Sequence, residues 1–223
     1  MRFSQLVILA ALAGLWTNCS NLSNGTSDRT ASQGDSSDSM PDAAVLDGGT
    51  NLDGPAYPTT NIGGQVGKIF PNLTLEGVRS AATVDTPVWV SMAEYYDPDG
   101  LQYDLLHVIG ILMWCPHCKS ETDSLAKISA WQAEHRIAVI QIAIQGPTGA
   151  SPAWSELQAW VSAHNLNFPV LVDGQGDQLG KYITIDSFPL NIVVNPRTME
   201  ILAIDIGDVG DVQAYEKGFL SSL

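Results

Sequence analysis

The chain has 223 residues, ten of them basic and twenty-four acidic, for a formal charge of −14. With no cluster of basic side chains, that balance excludes nucleic acid and anionic lipid as partners recognised through charge. Three cysteines, Cys19, Cys115 and Cys118, are too few for a small disulfide-stapled scaffold.

Met1-Arg2 leads into an apolar run from Leu6 to about Trp16. The run falls short of the roughly 20 residues that cross a bilayer, and it reads as an export signal over residues 1–19. Cys19 resembles the lipidated cysteine of bacterial lipoproteins, which would become the mature N-terminus and anchor the chain to a membrane. Trp16 and Asn18 stand where that pattern places a Leu-like and a small residue, although Leu15 is one step away. A signal-peptidase cut after Ala11-Leu12-Ala13 is the alternative.

Residues 20–60 shift to Ser, Asn, Thr, Gly and Asp, with one Arg and six Asp. Apolar residues there follow no period, so a flexible, solvated linker is expected. The triplets Asn21-Leu22-Ser23 and Asn24-Gly25-Thr26 match the glycosylation pattern but arise easily in such sequence. From residue 61 to 223 a single domain is expected. It carries eight basic and eighteen acidic residues, a net charge of −10.

That domain opens with alternation at Leu73 and Leu75, an edge strand or hairpin with a turn at Gly77. A short strand follows over Val88–Met92, then a turn at Asp97-Pro98-Asp99-Gly100. Leu105–Met113 is apolar except for His107 and Gly110, the mark of a buried central strand. Leu125, Ile128 and Trp131 recur at helical spacing, giving a helix from Pro116 to about His135. Ile137–Ile144 is a second buried strand, and Ser155–His164 a helix with Leu157, Trp160 and Val161 on one face. Phe168–Val172 is a short strand and Gln178–Tyr182 a brief helix. Leu190–Val194 and Ile201–Ile206 form a hairpin, and Val212–Leu220 a closing helix. The order describes a three-layer α/β domain with a mixed sheet and an N-terminal β extension.

The chemistry concentrates at Trp114-Cys115-Pro116-His117-Cys118, between a buried strand and a helix. A thiol at a helix N-terminus meets unpaired N–H groups and the positive end of the helix dipole, which favour its thiolate. A two-residue spacer lets the second thiol attack a mixed disulfide formed on the first. Structural zinc needs four ligands, and no second cysteine pair exists; no metal or cofactor is expected.

The cysteine motif resembles the W-C-x-x-C active site of thioredoxin-fold oxidoreductases. The stretch Gly67–Leu75 is similar to the opening of the redoxin, TlpA/ResA-like branch, and Phe188–Val194 to that fold's cis-proline loop and following strand. The resemblance spans roughly residues 63–223. It implies a thioredoxin-like fold and a periplasmic or membrane-anchored thiol–disulfide oxidoreductase. Its partners would be protein thiols or disulfides and a second redox protein. By that resemblance Cys115 is the exposed nucleophile and Cys118 the shielded resolving thiol. Pro189 would be the cis proline whose loop docks substrate, although Phe188 departs from the Thr or Val usual before it.

Glu121 matches the Glu of the C-x-x-C-K-x-E pattern of that branch. It would tune a thiol or relay a proton; the plainer reading is a solvated carboxylate at a helix start. Ile109 replaces the buried Asp of ordinary thioredoxins. His117 could stabilise the Cys115 thiolate, as the Pro-His dipeptide of DsbA-like oxidants implies, or simply face solvent. Trp114 would pack beside the site, and His107 is read as a satisfied strand histidine. Three other readings stay open. A peroxiredoxin-type peroxidase lacks its Thr-x-x-Cys, since Leu112 stands three before Cys115. A copper-handling module would use a three-residue spacer, and a redox-inactive binding domain would not need both cysteines.

Overall fold

The computed structural model describes residues 56–221. The export signal, Cys19 and the linker up to residue 55 lie outside the described residues. The linker expected to reach residue 60 gives way to the domain by Tyr57, whose hydroxyl donates to the Phe70 carbonyl at 2.6 Å.

Among the described residues, seven strands and three α-helices follow in order. They are β1 (Thr74–Val78), β2 (Val88–Ser91), β3 (Leu105–Leu112), α1 (Pro116–Glu134), β4 (Ile137–Gln145) and α2 (Trp154–Ala163). Then come β5 (Val170–Val172), β6 (Leu190–Asn195), β7 (Glu200–Ile206) and α3 (Val212–Leu220). One mixed sheet runs β2-β1-β5-β4-β3-β6-β7. Its middle, β5-β4-β3, is parallel, and the flanking pairs are antiparallel. The expected thioredoxin-like sandwich, with extra N-terminal strands at one edge, is what the chain adopts.

Every residue of β3 and β4 is buried. Buried on both faces, these strands need the near-continuous apolar runs that the sequence supplies. Each fully buried Leu or Ile contributes roughly 1.5–3 kcal/mol, and Leu105, Leu106, Ile109, Ile111, Ile140, Ile142 and Ile144 are all at most 1 % exposed. The polar residues in these runs share one face. Register pairs Ile109 with Gln141 and with Asn191, and His107 lies two residues before Ile109, so alternation puts all of them on the same side. Thr122 of α1 and Trp160 of α2 both bond Gln141, while Glu216 of α3 bonds His107. All three α-helices therefore cover that face. On the other face, the segment around Gly176 and Ile185 packs on Ile144.

Two expectations are corrected. Gly77 is not a turn but lies inside β1, where a Cβ would collide with the Val170 carbonyl oxygen. Glycine is required there by the close approach of β5. The brief helix expected over Gln178–Tyr182 is a single 3₁₀ turn, Leu179–Lys181.

Helix α1 starts where Pro116 occupies its first turn, its missing N–H costing nothing there. It ends at Glu134 with His135 as its C-cap, and just beyond lies Arg136, whose backbone is left-handed (φ 53°) and whose guanidinium grips Asp104 in a two-pronged pair at 2.6 and 2.9 Å. Arg136 also donates to the carbonyls of Gly100 and Leu101. The far end of α1 is thus tied to the loop that leads into β3.

Candidate active site

Strand β3 delivers the chain to Leu112, and one turn later Cys115 is the N-cap of α1 with extended backbone (φ −79°, ψ 123°). Its N–H donates to the Leu112 carbonyl at 3.0 Å, and its own carbonyl accepts from Lys119 N–H at 3.1 Å. Cys118 sits in the first turn, and the two thiols are hydrogen-bond partners at near-disulfide distance. The expectation of an exposed first thiol is corrected: Cys115 is 1 % exposed and Cys118 fully buried. The N-cap conformation turns the Cys115 side chain toward Cys118 instead of solvent. Burial drives the Cys118 thiol far above its ordinary range, and the bond to Cys115 adds to the rise. A thiol held that firmly protonated needs a base before it can act as a nucleophile.

Trp114 covers the turn, 39 % exposed, with its indole N–H donating to Gln145 Oε1 at 2.9 Å. Gln145 in turn donates to Gln175 Oε1 at 3.3 Å, so the loop after β5 braces the tryptophan. His117 and Pro116 face solvent on the first turn of α1. Between the start of α1 and α2 opens a cleft of about 360 Å3 lined by Met113, Lys119, Pro147, Glu156, Trp160 and His164. The Phe188–Pro189 bond is cis. Because Leu190 pairs with Gly110, Pro189 falls at the sheet end where β3 presents the cysteines. Its carbonyl accepts from Gly207 N–H at 2.8 Å, which fixes the loop to the end of β7.

Glu121, one turn beyond Cys118, is no solvated carboxylate. It is 1 % exposed. Its Oε2 accepts from Val209 N–H at 3.1 Å and, at the limit of a bond, from Asn191 Nδ2 at 3.5 Å. Its Oε1 is buried with no hydrogen-bond partner among the described residues. Burial raises its carboxyl to about 7, against the pull of Val209 N–H, His107 and Asn191, and with a push from Asp208. A negative charge on Glu121 also reaches Cys118 and raises its thiol. Burial therefore moves the carboxyl's proton exchange from the acid range toward neutral pH, beside an oxygen that has no partner among the described residues.

Sequence reasoning missed the polar layer behind this carboxyl. His107 Nδ1 lies 2.8 Å from Glu216 Oε1 and its Nε2 2.9 Å from Asn191 Oδ1, all three side chains fully buried. Gln132 Nε2 donates to both Glu216 oxygens at 2.8 and 3.0 Å. Asn191 Nδ2 donates to the Gly207 carbonyl at 3.2 Å. The signal was present: His107, Gln141 and Asn191 are lone polar residues in otherwise apolar strands, and such residues need partners.

A family model described as the AhpC/TSA family matches residues 66–201. The chain belongs to the AhpC/TSA family. Among curated proteins, the soluble secreted antigen MPT53 of Mycobacterium tuberculosis and that of Mycobacterium bovis are each 35 % identical over 69 residues, 31 % of this chain. The match covers 35 % of those proteins, so the chain spans about a third of their length. Among solved structures, a putative thiol:disulfide interchange protein DsbE from Chlorobium tepidum superposes with a TM-score of 0.54 at 14 % identity. It covers 71 % of this chain and 97 % of its own. A 2-Cys peroxiredoxin of Plasmodium vivax superposes at 0.52 and 13 % identity, over 70 % and 94 %. At these identities the superpositions show the shared thioredoxin fold. Within it, this chain carries a paired C-x-x-C consistent with disulfide exchange.

Proposed function

We propose that this protein is an exported thiol–disulfide oxidoreductase that cycles Cys115 and Cys118 between dithiol and disulfide against protein thiols. The observation that carries the reading is the contact between two buried thiols at the head of α1, with a buried carboxyl one turn further on. Cys115 attacks a substrate disulfide; its sulfur bonds one substrate sulfur and the other leaves as a thiolate. Glu121 then takes the proton of Cys118, whose sulfur attacks Cys115. The Cys115–Cys118 disulfide forms, the mixed disulfide breaks, and the second substrate sulfur departs as a thiolate that collects a proton. Two electrons pass to the substrate, and a redox partner protein restores the dithiol. Run backward, the same steps oxidise a substrate dithiol.

Pro189 and its loop would dock the substrate segment, and Trp114 would hold the cysteine turn. His117, exposed beside Cys115, would meet the incoming sulfur. Export is supported by the N-terminal run and by the secreted mycobacterial relatives. Cys19 would carry a lipid that tethers the domain to the outer side of the membrane. The described residues include no helix long and apolar enough to cross one.

A peroxidase is the second reading, favoured by the chain's membership of the AhpC/TSA family. Against it stand Leu112, three before Cys115, and the direct contact of the two thiols. The test is a pair of assays on the full chain. Reduction of a protein disulfide that stops in Cys115→Ser, with no peroxide consumption, supports the oxidoreductase. Peroxide consumption with no disulfide exchange overturns it.

A further inference from the structure

The hydrogen bonds behind Glu121 fix a count of protons. Asn191 Nδ2 faces two acceptors, the Gly207 carbonyl and Glu121 Oε2. The amide orientation follows, and Oδ1 must be the atom 2.9 Å from His107 Nε2. An amide oxygen only accepts, so Nε2 carries a proton. On the other side Nδ1 lies 2.8 Å from Glu216 Oε1, while Gln132 donates to both Glu216 oxygens. A neutral ring with its one proton on Nε2 would turn the Nδ1 lone pair against an ionised carboxylate. That arrangement has no hydrogen bond and a buried uncompensated charge. One further proton therefore lies between Nδ1 and Oε1, and the pair is neutral as a unit whichever atom holds it.

We infer that His107 and Glu216, bridged by Asn191, form a one-proton counter-charge that sets how readily Glu121 accepts the proton of Cys118. The inference rests on the oxidoreductase reading only for its role in turnover; the counter-charge itself does not. With the shared proton on Nδ1, an imidazolium faces the Asn191 amide, whose Nδ2 in turn points at Glu121. That form favours an ionised Glu121. With the proton on Glu216 the ring is neutral and Glu121 holds its own proton more tightly. A charge arising on Glu121 during the resolving step is thus met by a shift of the shared proton along one buried hydrogen bond, without water.

The groups that face this relay are few. Glu121 meets Cys118 on its own helix, Asn191 from β6, His107 from β3, and Asp208 and the Val209 N–H from the loop before α3. His107 lies against the Tyr215 ring of α3, centroids 5.6 Å apart and tilted by 42°, and the Tyr215 hydroxyl donates to Asp205 at 2.8 Å. Glu216 meets Gln132 of α1. His107, Asn191 and Glu216 act here as positioning residues, since none touches a reacting sulfur.

The test is an NMR titration of the reduced full chain, following the Glu121 carboxyl carbon, assigned by its absence in Glu121→Gln. In the wild type the midpoint is expected at about 7, and the His107 Nδ1 resonance is expected to move with the same midpoint. Both ring nitrogens should carry a proton when Glu121 is ionised, and the shared proton should lie toward Glu216 when Glu121 is protonated. In Glu216→Gln, which keeps shape but removes the extra proton, the Glu121 midpoint should rise by about 1 pH unit. His107→Gln should raise it in the same direction. A wild-type His107 with a single ring proton beside an ionised Glu216 overturns the inference, and that measurement needs no variant to fold. So does an unmoved Glu121 midpoint in a folded Glu216→Gln protein. These readouts do not depend on disulfide exchange, so a protein with no exchange activity would refute the oxidoreductase reading while the counter-charge stood or fell separately.

Discussion

Replacing Glu121 by Gln should make the reduced protein more stable at alkaline pH and leave it nearly unchanged in acid. Burial raises the carboxyl from the usual 4.5 to about 7. The unfolded chain releases that proton near the ordinary value. Between those two values the folded protein binds one proton more than the unfolded chain, so stability falls as pH rises through the window. The contribution is whole below about 4.5 and gone above about 7. The gap corresponds to about 3 kcal/mol at most, since the side chain is 1 % exposed and little screened. In Glu121→Gln the amide has no proton to lose, and the slope vanishes. Urea unfolding at pH 4 and pH 8, with both thiols kept reduced, reads the difference. The wild type should lose about 3 kcal/mol more than the variant between the two pH values, roughly 6–12 °C in Tm for a chain of this size. Parallel stability curves for the two proteins would refute the reasoning. They would mean that Glu121 is ionised in the folded state at pH 4, or that the unfolded chain holds its proton equally well.

Cys118→Ser should leave the first attack intact and abolish resolution, so that a disulfide substrate stays bonded to Cys115; mass spectrometry under non-reducing conditions reads the adduct, and free product without an adduct would contradict the assigned order of attack. Gly77→Ala should destabilise the fold by about 3 kcal/mol, because the new methyl would press on the Val170 carbonyl and on Leu171; a thermal melt within 1 °C of wild type would show that β1 and β5 can part freely.

Much of the fold was legible because its central strands are buried on both faces and so read as near-continuous apolar runs. Leu105–Leu112 and Ile137–Gln145 announce themselves in this way. The helices showed through their apolar spacing, and α1 through Pro116. Gly77 misled because glycine serves both turns and close backbone approaches, and one sequence does not say which. The 3₁₀ turn at Leu179–Lys181 misled because three residues carry no period. At the site, the cysteines and Glu121 were visible from spacing and resemblance. The burial of Cys115 was not, since it depends on the direction its N-cap conformation gives the side chain. Nor was the link from Glu121 to Glu216, which joins residues 95 positions apart through β6 and β3. Each lone polar residue in an apolar strand demanded a partner; only the three-dimensional pairing says which.

The most direct test of the account is an equilibrium titration of the Cys115–Cys118 couple in glutathione redox buffers, using the full chain. The account predicts one reversible two-electron transition, changing tenfold in ratio per about 30 mV, and lost in Cys118→Ser. No reversible disulfide between these cysteines, or oxidation of Cys115 alone by peroxide, would contradict it.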